Sequence, residues 1–263
     1  MDVSLDIQIL SPSEHLTEGF KTLKYSLIIF LIAALLNFFS GITYTNSGLS
    51  CLYQFFFIIW IFFVYKSLKE LSKASPYIKS KNYESNIYRS KVFLVLSIFM
   101  LIIGVALIYV GIDALASSVA ENTNSNREAL VSLLQGLEPI LISTILLSGI
   151  LNIFFGLIYY FPLKTFKNYS MVKIGMLTVV IISILMIIVD IYLSHILIAD
   201  AIANIPNTDN LTELENYFKS VIANTNLVYI SNLIYLGSIV GLLFYLKAES
   251  DIEKGIYLST IRP

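Results

Sequence analysis

VFLVLSIFMLIIGVALIYVGI, residues Val92 to Ile112, runs for twenty-one residues without one charged side chain. At about 1.5 Å per helical residue this run reaches about 31 Å, the thickness of a bilayer's hydrocarbon core. A soluble helix has to alternate apolar and polar faces, and this one does not. Five further runs read the same way: residues 25–45, 49–65, 137–161, 171–189 and 227–246. None carries a charge in its central third. The second is the shortest and the most aromatic, with Phe55, Phe56, Phe57, Trp60, Phe62 and Phe63.

Composition agrees. Of the 263 residues, 57% are apolar and 13% charged, against roughly 45–50% and 25% in soluble domains. Mean hydropathy is +0.78. A water-soluble fold and a disordered chain are both excluded. A single cysteine, Cys51, excludes an internal disulfide and any multi-cysteine metal centre. The two histidines, His15 and His195, make a histidine-rich metal or haem site a poor fit.

Charge sets the expected topology. Fifteen of the 17 Lys and Arg lie in the N-terminal segment, after spans two and four, and in the C-terminal segment; only Arg127 and Lys219 lie after spans three and five. The positive-inside rule then puts both termini in the cytoplasm. Tyr44 and Tyr53 outside, and Tyr65, Tyr159, Tyr160 and Tyr245 inside, sit where interfacial belts sit. The expected fold is all-α: one domain of six transmembrane helices, three hairpins in tandem, with a small helical cap outside. The segment 66–91 is expected as a basic cytoplasmic loop, and 113–136 and 190–226 as outer loops. The first apolar run reads as a retained signal-anchor, because the first twenty residues are polar and no cleavage pattern follows. Ser11-Pro12-Ser13-Glu14 reads as a helix start. Leu16, Phe20 and Leu23 share one face of a short helix expected to lie on the inner membrane surface before span one. Spans three and five are expected to project beyond the bilayer, since helix-compatible sequence continues over Lys91 to Ala120 and Met171 to Ala203.

Four constellations carry the candidate chemistry. Asp113, Glu138 and Asp190 are the acids nearest membrane depth, all at outer span ends, with His195 beside them. They suggest a cation- or proton-handling outer vestibule; ordinary interfacial capping is the plainer reading. Small and polar seams recur: Gly237 and Gly241 in a GxxxG, Ser148, Asn152 and Gly156 on one face of span four, and Ser97, Gly104 and Gly111 every seven residues in span three. Such seams pack helices or line a pathway, and Asn232 and Gln54 could bond between helices. They are too thin for a wide pore within one chain, so a pore would need further copies or partners. Lys66, Lys69, Lys73, Lys79, Lys81, Arg89 and Lys91, interleaved with Tyr77, Tyr83 and Tyr88, give the segment 66–91 a net +5. The segment suits nucleic acid, a cytoplasmic ATPase, or simply anionic lipid. Asn210-Leu211-Thr212 is an N-glycosylation acceptor on the expected outer side, whereas Asn168-Tyr169-Ser170 would face inward. No P-loop, HExxH, GxSxG or GxGxxG occurs, so no catalytic residue, metal site or cofactor is expected.

Glu18-Gly19-Phe20-Lys21-Thr22-Leu23-Lys24, leading into span one, is similar to the start of an uncharacterised archaeal multi-pass membrane family. The residue usage, rich in Ile, Leu, Ser, Tyr and Asn, resembles crenarchaeal membrane proteins. The outline of about 260 residues, six spans, a basic inner face and no catalytic motif resembles the polytopic membrane subunit of the crenarchaeal DNA-exchange (Ced) system. That resemblance is architectural and carries over no site residues. It implies a cell-membrane channel component for DNA import, energised by a separate ATPase. Membrane subunits, a cytoplasmic ATPase, DNA and a second copy of the chain are the expected partners. A self-sufficient secondary transporter is the first alternative, although unbroken spans without central proline or charge speak against it. A non-transporting scaffold or sensor is the second.

Overall fold

The structure is a computed structural model. It describes the backbone of residues 8–9, 14–42, 47–80, 82–122, 125–166, 170–223 and 227–261, and the side chains of 14–36, 52, 55–78, 80, 82–115, 117, 125–166, 170–217, 220 and 239–256. Among the described residues the helices are α1 (Glu14–Ile42), α2 (Ser47–Lys73), α3 (Tyr83–Asn122), α4 (Asn126–Phe166), α5 (Ser170–Ala203), α6 (Leu211–Ala223) and α7 (Leu227–Ile261). One short antiparallel pairing joins Gln8–Ile9 to Ile78–Lys79. Among the described residues, four helices are long and apolar enough to cross a membrane: α1, α3, α4 and α5. This is a multi-pass, all-helical membrane protein. The second and sixth apolar runs lie within α2 and α7.

The strongest helix packings are α1 on α2, α3 on α4, and α5 on α7. Each joins one long helix to the next long one in the chain. Side-chain contacts run antiparallel throughout: Glu18 meets Lys66, Gly104 meets Leu147, Glu138 meets His195, and Gly175 meets Tyr245. Further contacts of α4 with α5 and of α1 with α7 link the hairpins. The order around the bundle is α2, α1, α7, α5, α4, α3, and only a thin α2–α3 contact closes it. The start of α1 and the last turns of α7 thus share one end, where Lys24 bonds Glu253. Lys66, Lys73 and Arg89 also lie there, and we term it the basic end.

Among the described residues, the larger core lies at that end. Phe20, Leu23, Leu68, Leu71, Ile158, Tyr159, Leu163, Phe166, Tyr245 and Ile252 are all buried in one core. Gly19 lets α1 and α2 approach closely, because a Cβ there would sit 2.7 Å from Leu71 Cδ2. The Ser67 hydroxyl then donates to the Gly19 carbonyl at 2.9 Å. Leu16, Phe20 and Leu23 do share a face, but that face packs on α2 in this core. The expected short surface helix is instead the first turns of one continuous α1. Burying a face against another helix satisfies it without a break in the hydrogen-bond ladder.

At the opposite, acidic end the described side chains come mainly from α3, α4, α5 and α6. Helix α3 runs to Asn122 and α4 starts at Asn126, so most of the expected outer loop 113–136 is helix. Likewise α2 extends to Lys73 and α3 begins at Tyr83, leaving only a short connection within 66–91. Leu134, Ile198, Ala201, Ile205 and Leu214 form a small separate cluster joining α4, α5 and α6. Ser125 caps α4 by accepting from the Glu128 N–H at 3.2 Å, and Asn210 caps α6 by accepting from the Thr212 N–H at 3.0 Å. The Arg127 N–H reaches Asp209 Oδ1 at 3.2 Å, fastening the α4 start to the segment before α6.

Candidate functional site

The described residues offer three places with chemistry, and the first lies at the acidic end. Glu138 of α4 and His195 of α5 meet there at 2.7 Å, with the histidine side chain 66% exposed. Asp190 is half-buried on α5, and Asp113 stands exposed on α3, where its backbone carbonyl accepts the Ser117 hydroxyl. Of the four residues expected to form a vestibule, the structure brings Glu138 and His195 into direct contact. Among the described residues no group of three or more His, Cys, Asp or Glu is arranged to hold a metal ion. Asn210 is exposed at this end, and its side-chain oxygen is already the α6 cap.

A second place is a cleft of about 250 Å³ between α2, α3 and α4. Phe57, Gly104 and Phe155 form part of its apolar lining, and Thr144, Ser148 and Asn152 put a polar stripe along it. These three stand four residues apart on α4 and so lie on one side of it. The Thr144 hydroxyl is turned back on the carbonyls of Ile140 and Leu141, at 3.1 and 2.8 Å. Ser148 is exposed and Asn152 buried. Because α2 and α3 barely touch, the cleft opens sideways at the level of the apolar spans.

The remaining seams pack the chain on itself. A four-residue step advances about 40° beyond a full helical turn, so Gly156 has rotated away from the cleft and faces Val179 and Met176 of α5. Gly104 and Gly111 face Leu147 and Ile140 of α4, and the Ser97 hydroxyl donates to the Phe93 carbonyl. Gly241 sits against Val179 and the Gly175 carbonyl, while Gly237, Asn232 and Gln54 lie outside the described side chains.

At the basic end the cations are partly committed within the chain. Lys66 binds Glu18 at 3.0 Å, Lys73 binds Glu70 at 2.8 Å, and the Arg89 guanidinium lies 5.6 Å over the Phe161 ring. His15 also reaches Glu70 at 2.7 Å. The Lys73 ammonium first, and His15 second, hold the Glu70 carboxyl below its ordinary value. Lys69 is exposed and Lys91 half-buried; the side chain of Lys79 and the whole of Lys81 lie outside the described residues.

The third place was not expected from sequence. Glu249 of α7 is completely buried, and neither carboxylate oxygen has a hydrogen-bond partner. It stands three residues past the sixth apolar run. Burial pushes its carboxyl up to about 8; Glu253 adds to the shift and Lys24 opposes it. One turn back along α7, the Tyr245 ring lies 6.3 Å from that of Tyr159, which accepts from Trp60 Nε1 at 2.6 Å and lies 3.1 Å from the Ser26 hydroxyl, joining α1, α2 and α4. A signal for Glu249 does exist. Leu242, Tyr245, Glu249, Ile252 and Ile256 follow a three-four-three-four spacing, all buried, and the acid occupies a core position of that stripe. The neighbouring Lys247, Asp251, Glu253 and Lys254 disguise the stripe as a solvated tail. Compared with family models, with curated proteins and with solved structures, the chain matches none.

Proposed function

We propose that the chain is an integral cell-membrane subunit of a translocation assembly, crossing the bilayer six times with both termini in the cytoplasm. DNA is the cargo that its architectural resemblance implies, and a separate ATPase the motor. The observation that carries the reading is the side-opening cleft with its stripe of Thr144, Ser148 and Asn152. Polar groups at membrane depth are costly unless they meet polar partners or a water-filled path. Ser148, the exposed member of the stripe, faces the flank of the bundle, where another subunit would supply the other half of such a path. The commitments of Lys66, Lys73 and Arg89 within the chain shift cargo contact away from the basic end and toward this stripe.

Mild-detergent purification of the tagged chain from native membranes tests the proposal. It should recover a motor ATPase and small membrane subunits. Ser148→Trp, which fills the cleft, should strip them away while the chain still inserts. Recovery of the chain alone, together with solute flux in liposomes holding only this chain, would establish a self-sufficient transporter instead.

A further inference from the structure

We propose that Glu249 is a proton-binding site at the basic end of the bundle, and that release of its proton transfers Lys24 from Glu253 to Glu249, resetting the α1–α7 contact.

Three observations meet at this point. The carboxyl is fully buried with both oxygens unpartnered, an arrangement that a neutral carboxylic acid tolerates far better than a carboxylate. A cation stands within reach. Lys24 of α1 bonds Glu253 at 2.7 Å, one turn further along α7, and its charge already acts on Glu249. The contact that would reset is also a principal one, because α7 bridges α1 and α5. A proton leaving Glu249 leaves a negative charge in the core. The nearest mobile positive charge is Lys24, and the acid it would abandon is about one-third exposed and can be solvated instead.

The groups facing this position are few. From α1 comes Lys24. From α7 itself come Glu253 and Tyr245, whose hydroxyl donates to Met176 Sδ of α5. On α4, the ring of Tyr159 lies 6.3 Å from that of Tyr245, and α5 carries Lys173, which is exposed. Lys247 and Asp251 pair with each other at 3.5 Å. Lys24 is thus the cation placed to answer ionisation.

Infrared titration of the full chain in lipid nanodiscs tests the site. The carboxylic C=O band of Glu249 should be present at pH 6, disappear with a midpoint near pH 8, and be missing in Glu249→Gln. Glu253→Gln removes a repelling charge and frees Lys24, so the midpoint should fall by about 1–3 pH units. Lys24→Met removes the responding cation, so the midpoint should rise. These two variants report on the site even where Glu249→Gln folds poorly. A band that persists in Glu249→Gln, a wild-type chain with no carboxyl titrating between pH 6 and 9, or a midpoint indifferent to both Glu253→Gln and Lys24→Met would each overturn the proposal.

Discussion

Glu138 and Glu249 are both carboxylates near the ends of apolar runs, and the chain treats them in opposite ways. Glu138 meets His195 at 2.7 Å at an exposed rim, with a thin apolar cluster beneath it. Glu249 is enclosed at the densely packed end and meets no hydrogen-bond donor. The paired acid is half-buried and its histidine partner stands in water, where pairing is worth little. The unpaired acid is out of water, where every partner counts. A list of ion pairs therefore ranks the two sites backwards. The energetically consequential carboxylate is the one without a bond.

The largest expected effect follows from that difference. The Glu249 carboxyl is raised above its unfolded value to about 8, so the folded chain holds a proton that the unfolded chain releases. Its contribution to stability is full below about pH 4 and declines as pH rises toward 8. Glu249→Gln has no such proton to lose. In detergent its stability should match wild type near pH 5 and exceed it at pH 9, by on the order of 3–5 kcal/mol as an upper figure. Thermal unfolding midpoints across that range measure it. Parallel curves for the two proteins would remove the contrast between the sites.

Much of the architecture was legible because its signal is one-dimensional. A run such as Val92 to Ile112 needs only its own composition to be read as a spanning helix, and the tandem hairpins need only alternating charge at the turns. The sites depend on rotation about helix axes, which composition does not contain. Ser148 and Asn152 line the cleft, yet Gly156, on the same four-residue row, faces α5. Glu138 and His195 were readable as neighbours because both sit at span ends, where few places remain. Glu249 was not, because the charged residues around it cover the three-four spacing that points it inward. The partners of Lys66 and Arg89, Glu18 and Phe161, were not legible because they are remote in sequence.

The next effects probe the packing that encloses Glu249. Tyr159→Phe leaves the Trp60 N–H buried without an acceptor, which should cost about 1–3 kcal/mol. Gly241→Ala should cost a similar amount, because its Cβ would lie 2.6 Å from Val179 Cγ2 and 3.1 Å from the Gly175 carbonyl oxygen. A backbone oxygen cannot swing aside as a side-chain end can, so α7 must move off α5. Denaturation of both variants in detergent checks the losses. If the enclosure of Glu249 depends on this packing, each variant should also lower the midpoint of its carboxyl band by admitting water.

The smallest effect belongs to the acidic end, and its smallness is the point. His195→Gln and Glu138→Gln each remove one partner of a pair whose histidine is two-thirds exposed. Water replaces the lost bond, so each should change stability by less than about 1 kcal/mol. The double variant should equal the sum of the two singles, because a weak exposed pair leaves little coupling to detect. A coupling above about 1 kcal/mol in that double-mutant cycle would show that lipid or the α6 segment shields the pair from water. The acidic end would then be a second enclosed site, and Glu138 would join Glu249 as a carboxylate governed by its surroundings rather than by its neighbour.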